Sequence, residues 1–377
     1  MPNFSGIWNL KEQVQAIAAG RWTGLPAFEL YAWGTNSLGP IGDGTTVNRS
    51  SPVQVGALTN WSQVSGCQFH CAAVKTDGTM WAWGYNGAGQ LGDGTVVYKS
   101  SPVQVGALTT WSQVAGGGFT CAITTSGELY AWGSNGNGQV GDGTTVNRSS
   151  PVQVGALTNW SQVASGANHT AAITTSGALY AWGRNGSGRL GDGTVVYKSS
   201  PVQVGALTNW AQATGGSFHT AAVKTDGTLW AWGRNNNGQL GDGTVADKPS
   251  PIQVGALTNW AQVNAGGTNT AAIKTDGTLW AWGLNSSGQL GDGTIVNSSS
   301  PVQIGALTTW AQVAQGSGNT FAITVGGELY AWGLGTRVGD NTAINKSSPV
   351  QIGALTNWHQ VSSLSYHTVA IFQGSSN

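Results

Sequence analysis

Leu229-Trp230-Ala231-Trp232-Gly233 is followed by the polar loop Arg234-Asn235-Asn236-Asn237-Gly238, and this pair of segments recurs along the chain. The phrase Ala-Trp-Gly ends at Gly34, Gly84, Gly133, Gly183, Gly233, Gly283 and Gly333, so successive copies stand 49 or 50 residues apart. A period of that length belongs to propellers and related arrays. Trp230 and Trp232 fall on one face, because side chains alternate along a strand. Working outward, the same copy offers Gln203-Val204 with its flanks, Trp210 to Ala213 and Thr220 to Val223 as further short strands. Thr225-Asp226-Gly227 is a tight hairpin signal, and the Gly/Asn loop after Gly233 cannot continue a strand. Four strands per copy and seven copies predict an all-β, seven-bladed propeller of four-stranded blades.

The two ends fit a closed ring. The chain enters the first copy at Glu29-Leu30-Tyr31-Ala32-Trp33, without the two strands that precede this element elsewhere. It finishes with Trp358-His359-Gln360-Val361 and His367-Thr368-Val369-Ala370-Ile371, which are the two missing strands. One blade is therefore expected to be stitched from both termini, removing the sheet edges that an open array would leave. Residues 29–377 then form the propeller and residues 1–28 an arm. In the arm, Asn9 and Glu12 resemble a capping box opening a helix from Leu10 to Ala19. Phe4, Trp8, Val14, Ile17 and Trp22 supply apolar contacts, either to the propeller itself or to another chain.

Composition narrows the function. With 59 Gly and only 8% charged residues the chain reads at first as disordered, but 19 Trp and 40% hydrophobic content are enough for a large core. Fifteen Lys and Arg balance fifteen Asp and Glu, which argues against nucleic acid as a main partner, since phosphate contacts need a cationic excess. No apolar run of about 18 residues is present, so no membrane insertion is expected. No secretory signal is read at the N-terminus. Cys67, Cys71 and Cys121 are too few and odd in number for a disulfide framework.

The Ala-Trp-Gly indoles, together with Trp61, Trp111, Trp160, Trp210, Trp260, Trp310 and Trp358, recur in every copy and read as packing between blades. The Gly-Asp-Gly-Thr segments place Asp43, Asp93, Asp142, Asp192, Asp242 and Asp292 at one position, with Asp340 in a variant. One carboxylate per loop is too few for calcium, so these read as Asx-type turns and no metal or cofactor is expected. Six residues later stand Arg49, Lys99, Arg148, Lys198, Lys248 and Lys346, with Ser298 the exception. They read as local pairs or solvated rims, each worth at most about 1 kcal/mol. His70, His169, His219 and His367 are read as sharing one position with Thr120, Asn269 and Asn319, which points to hydrogen bonding within a turn. Cys71 and Cys121 are read as equivalent positions on neighbouring blades, too far apart to bridge. No catalytic constellation stands out, so an enzyme is not expected. Variation survives in the loops after Ala-Trp-Gly, where Tyr85, Tyr98, Arg184, Arg189, Tyr197 and Arg234 are the candidate binding residues. Arg184, Arg189 and Arg234 form the one local cationic bias.

The unit, as in Asn135-Gly136-Asn137-Gly138-Gln139-Val140-Gly141, Ser150-Pro151-Val152-Gln153-Val154 and Gly166-Ala167-Asn168-His169-Thr170, resembles the regulator of chromosome condensation (RCC1) repeat. The resemblance covers about residues 29 to 372 and implies a seven-bladed propeller closed by both termini. Nucleotide exchange on a GTPase, one function of that family, implies a specialised contact face with irregular insertions, whereas these copies are nearly uniform. Ultraviolet reception, another, implies Gly-Trp-Arg-His-Thr, where this chain has Gln68-Phe69-His70, Ala167-Asn168-His169 and Ser217-Phe218-His219. The leader Asn3-Phe4-Ser5-Gly6-Ile7-Trp8-Asn9-Leu10-Lys11-Glu12-Gln13 is similar to leaders on structural proteins of phages and aquatic viruses. Together these imply a non-enzymatic adhesion propeller of a virion. The arm would bind a virion or scaffold subunit, and the variable loops a cell-surface glycan or protein. A cellular scaffold or extracellular lectin is the alternative, and an exchange factor comes third.

Overall fold

In the computed structural model, which describes residues 27–374, the strands of each copy pair into a four-stranded antiparallel sheet, and seven sheets form a ring. Numbering blades from Trp61, blade 4 runs outward from Trp210–Gly215 through His219–Lys224 and Leu229–Gly233 to Lys248–Gln253. The phase differs from the sequence reading in one respect. Gln203 ends the outermost strand of blade 3, opposite Tyr180, instead of opening the next sheet. The segment after it crosses to the innermost strand of blade 4.

Blade 7 is stitched as expected. Phe28–Gly34 from the N-terminal side pairs with His367–Gln373, in unbroken register from Phe28 opposite Gln373 to Gly34 opposite His367. Arg49–Gln54 lies outside this pair and Trp358–Ser363 inside it. The helix expected at Leu10 to Ala19 and the arm residues Phe4, Trp8, Val14, Ile17 and Trp22 lie outside the described residues.

The core sits in the wedges between blades. One wedge joins Leu229, Ala231, Leu240 and Val254 of blade 4 to Trp260, Val263, Ala272 and Trp282 of blade 5, all buried. Six further wedges repeat this pattern. Trp260 meets Trp280 and Trp282 edge-on, at 6.2 Å between ring centroids in both cases. The Trp282 indole N–H donates to the Gln239 carbonyl of the preceding blade at 3.0 Å. At Gly241, with φ at +76°, a Cβ would stand 2.6 Å from that indole nitrogen, so only glycine lets the loop close over the ring.

An innermost strand has one edge unpaired, and its amide groups need acceptors. Gln63, Gln113, Gln162, Gln212, Gln262, Gln312 and Gln360 supply them. Each side-chain oxygen accepts the backbone N–H of the next blade's innermost strand, at 2.7–3.0 Å, from Gln63 to Val114 around to Gln360 to Val64. The seven contacts make a complete ring around the central channel. The sequence reading assigned these glutamines no role.

Candidate functional site

Strand alternation puts two kinds of connection on one face of the ring: the inner turns, between first and second strands, and the long loops, between third and fourth. In blade 4 the Arg234 N–H donates to the Phe218 carbonyl at 3.1 Å, and in blade 1 the Tyr85 N–H donates to Phe69 at 3.0 Å. Gly233 permits this approach: its φ is +107°, and a Cβ would meet His219 Cα and the Phe218 oxygen at 2.8 Å. The first residue of each long loop thus lies against the last residue of its inner turn.

A buried asparagine holds each of these long loops except that of blade 6. Asn285 Nδ2 donates to Asp292 and to the Thr294 and Val296 carbonyls, while its oxygen accepts Leu290 N–H at 2.9 Å. Asp292 in turn accepts from the backbone and hydroxyl of Thr294, the expected Asx-type turn. In blade 6 the loop is shorter, with Gly335 at the asparagine position and a single 3-10 turn over Gly335–Arg337. Five of the expected ion pairs form: Asp43–Arg49, Asp142–Arg148, Asp192–Lys198, Asp242–Lys248 and Asp340–Lys346. Lys99 is not among them. The loop carboxylates are largely consumed by their own loops.

The histidines depart from the sequence reading. His70, His169, His219 and His367 open second strands and bond across a blade boundary, not within a turn. His70 Nε2 lies 2.7 Å from Thr120 Oγ1, which donates to the Gln90 carbonyl at 2.8 Å. His169–Thr220 and His219–Thr270 repeat this relay. At His367 the partner is Cys71, at 3.0 Å. The inner turn of blade 2 is one residue shorter, Gly117-Gly118 against Cys67-Gln68-Phe69, which displaces the alignment by one. Phe119, not Thr120, is the counterpart of His70, and Cys121 aligns with Ala72 instead of Cys71. Burial lowers His70 and His219 to about 3 and His367 to about 4, and it raises the Cys71 thiol. The Cys71–His367 pair is therefore neutral and replaces a Thr–His pair.

All six candidate binding residues lie on this face, in two groups. Tyr85 and the exposed Tyr98 meet at 4.8 Å. They extend a row that the sequence reading missed: Phe69 lies 6.1 Å from Tyr85 and stacks on Tyr366 at 5.4 Å with 16° between planes. Arg337 caps the row, 4.5 Å above Tyr366. A cavity of about 200 Å³ opens beside it, lined by Leu38, Pro40, Phe69 and Tyr366. The second group lies on blades 3 and 4. Arg189 and Arg234 hold Phe218 at 5.4 and 5.0 Å from its ring centre. Arg184 and the exposed Tyr197 come from the same loop as Arg189. Arg189 is the buried member of this group. It is 2% exposed, with Nη1 donating to the Ser217 carbonyl at 2.8 Å.

Position by position, the inner turns end in Phe69, Gly118, Asn168, Phe218, Thr268, Gly318 and Tyr366. Of the three aromatic residues at these seven equivalent places, Phe69 and Phe218 entered the sequence reading only as missing matches to a light-sensing motif, and Tyr366 did not enter it. On the opposite face the connections between blades repeat Gly-Ala-Leu-Thr almost unchanged, with Leu108, Leu157, Leu207, Leu257, Leu307 and Leu355 each 44–48% exposed.

The family model of the RCC1-like domain matches residues 2–267, and models of the RCC1 repeat match residues 276–323 and 260–289. The chain belongs to the RCC1-like domain family. Among solved structures, human WBSCR16 is similar to this RCC1-like propeller at 21% identity and a TM-score of 0.82, over 92% of this chain and 99% of that one. Yeast RCC1 (Prp20), solved bound to Kap60, is also 21% identical, with a TM-score of 0.83 over 93% of this chain and 90% of that one. These likenesses carry the fold. No curated protein sequence matches the chain.

Proposed function

We propose that this RCC1-like propeller is a non-catalytic binding platform whose working surface is the face of inner turns and long loops. One observation carries the reading. Aromatic and cationic variation among otherwise repeated blades forms two groups there, while on the opposite face the connections between blades repeat one motif. The rim of the same face exposes Val47, Val96, Val146, Val195, Val245, Ile295 and Ile344 at 58–67%, apolar surface suited to contact. Yeast Prp20, of the same fold, was solved with a bound protein, which supports a protein among the ligands. The arm's apolar residues and the leader's likeness to viral structural proteins support a virion setting. In that setting the arm attaches to a neighbouring subunit and the loop face meets the host.

The test compares two triple variants on a glycan array and in binding to candidate host cells. Phe69→Ser, Tyr85→Ser, Tyr366→Ser alters the loop face, and Leu207→Ser, Leu257→Ser, Leu307→Ser alters the other. Loss of binding in the first variant alone is expected. Loss confined to the second overturns the assignment of the face. Deleting residues 1–27 tests the attachment role: a folded propeller that no longer assembles with its neighbours supports it, and unchanged assembly removes it.

A further inference from the structure

Of the arginines on the loop face, Arg49 and Arg148 are held in ion pairs, while Arg184, Arg189, Arg234 and Arg337 take part in none of the five among the described residues. Arg337 is committed to the Tyr366 ring and to the Ser365 carbonyl. The other three converge. Arg189 is buried beneath the surface with its Nε facing no hydrogen-bond partner, and the buried Arg184 Nε likewise has none. Arg234 closes the group from the next blade, 5.0 Å from the Phe218 ring centre. Arg189 feels the other two cations: burial, then the charge of Arg184, lowers it to about 10, with Arg234 adding to the effect. Tyr197 counters this at Arg189, and so, alone among the carboxylates of the described residues, does Asp247, whose oxygen already accepts the Asn235 N–H at 2.8 Å. Buried guanidinium N–H donors without an acceptor are costly unless an anion completes them.

We propose that Arg184, Arg189 and Arg234, gathered about Phe218, form a binding site for the carboxylate or sulfate group of an acidic saccharide. A planar guanidinium matches a two-oxygen acid group through paired N–H donors. Arg189 and Arg234 share Phe218 as one aromatic anchor, and Arg189 is further held by the Ser217 carbonyl before the ligand arrives. Tyr197, 46% exposed, offers an amphipathic ring beside them for the sugar. The cluster spans two blades of a chain with no net charge, enough for one acid group and too little to follow a phosphate backbone.

This site rests on the loop face being the working surface, and the test separates the two. The full chain is titrated calorimetrically with a sulfated oligosaccharide, a uronic-acid oligosaccharide, their neutral counterpart and a phosphorylated peptide. Binding of the acidic sugars, and neither of the others, is expected. The variant Arg184→Gln, Arg234→Gln should keep its melting temperature and lose roughly tenfold or more in affinity. The Phe69, Tyr85, Tyr366 variant should keep the acidic-sugar affinity. No binding of either acidic sugar, equal binding of the neutral one, preference for the phosphopeptide, or unchanged affinity in the arginine variant each overturns the anion site and leaves the loop face standing. Loss of acidic-sugar binding in the opposite-face variant alone overturns both.

Discussion

His70, His169, His219 and His367 are buried, uncharged and bonded to a neighbouring blade, and this gives the stability of the ring a defined pH dependence. Their folded-state values lie below the ordinary 6.5, chiefly through burial, with neighbouring side-chain charges lowering each further and a backbone hydrogen bond at His70 partly opposing this at His367. The unfolded chain therefore binds more protons from pH 6.5 down to about 4 at His367 and about 3 at His70 and His219, with an upper slope of roughly 1.4 kcal/mol per pH unit for each histidine. The stabilisation is complete above pH 6.5 and is lost as the pH falls through this window. Blades 5 and 6 carry Asn269 and Asn319 at the same position, so asparagine is a tolerated replacement. The fourfold His→Asn variant should show a flatter fall in melting temperature from pH 7 to 5 than the parent chain. A parallel fall in both would assign the effect to other groups. At this scale the sequence was only partly legible. Tyr85 and Tyr98 stood out as loop aromatics, but Phe69 and Tyr366 are separated by 297 positions, and their stacking exists only because the ring closes.

The innermost strand shows why element existence was readable when element chemistry was not. Trp210-Ala211-Gln212-Ala213 announces a strand through its alternation and its Trp. What Gln212 does depends on the edge it faces, and that edge belongs to another blade, 51 residues on. Replacing it by leucine removes the acceptor for the Val263 N–H at the channel wall. Gln212→Leu should cost about 1–3 kcal/mol in chemical denaturation, the range for stranding a largely buried amide. The same substitution at Gln203, on an exposed outer strand, should cost nothing measurable. Equal effects would mean that the ring of glutamines is incidental. The histidine position was displaced in blade 2 for a related reason: one residue is missing from a turn, and spacing alone does not show which side of the turn lost it.

Closure is the feature of the whole molecule that the sequence disclosed best, because two strands absent from one end appeared at the other. The seven-residue register between Phe28–Gly34 and His367–Gln373 joins them within one sheet. A chain ending after Gly353 lacks the two inner strands of blade 7 and exposes unpaired edges on blades 7 and 1. It should aggregate or melt without a cooperative transition, read by differential scanning calorimetry and light scattering. A truncated chain that melts like the full one would show that the open arc is self-sufficient. The arrangement of binding groups was less legible, since the distribution of aromatic and cationic side chains over one face follows from blade order and strand direction taken together.

The glutamine contacts all run in the same rotational sense, so the ring has a handed cyclic order but no first member. Gly374 N–H donates to the Ala27 carbonyl at 2.8 Å, which brings the two sides of the seam together. A short peptide joining them would free the seam to move. Opening the permuted chain within residues 225–228, a hairpin of blade 4, recreates a stitched blade elsewhere. Opening it within residues 205–209 leaves seven blades each made from continuous chain, with the break between neighbours. Both permutants retain the same interfaces, and the difference in their unfolding rates measures how far stitching delays ring opening. The propeller is thus a fold in which topology and kinetic lifetime can be varied while the surface that meets a ligand stays the same.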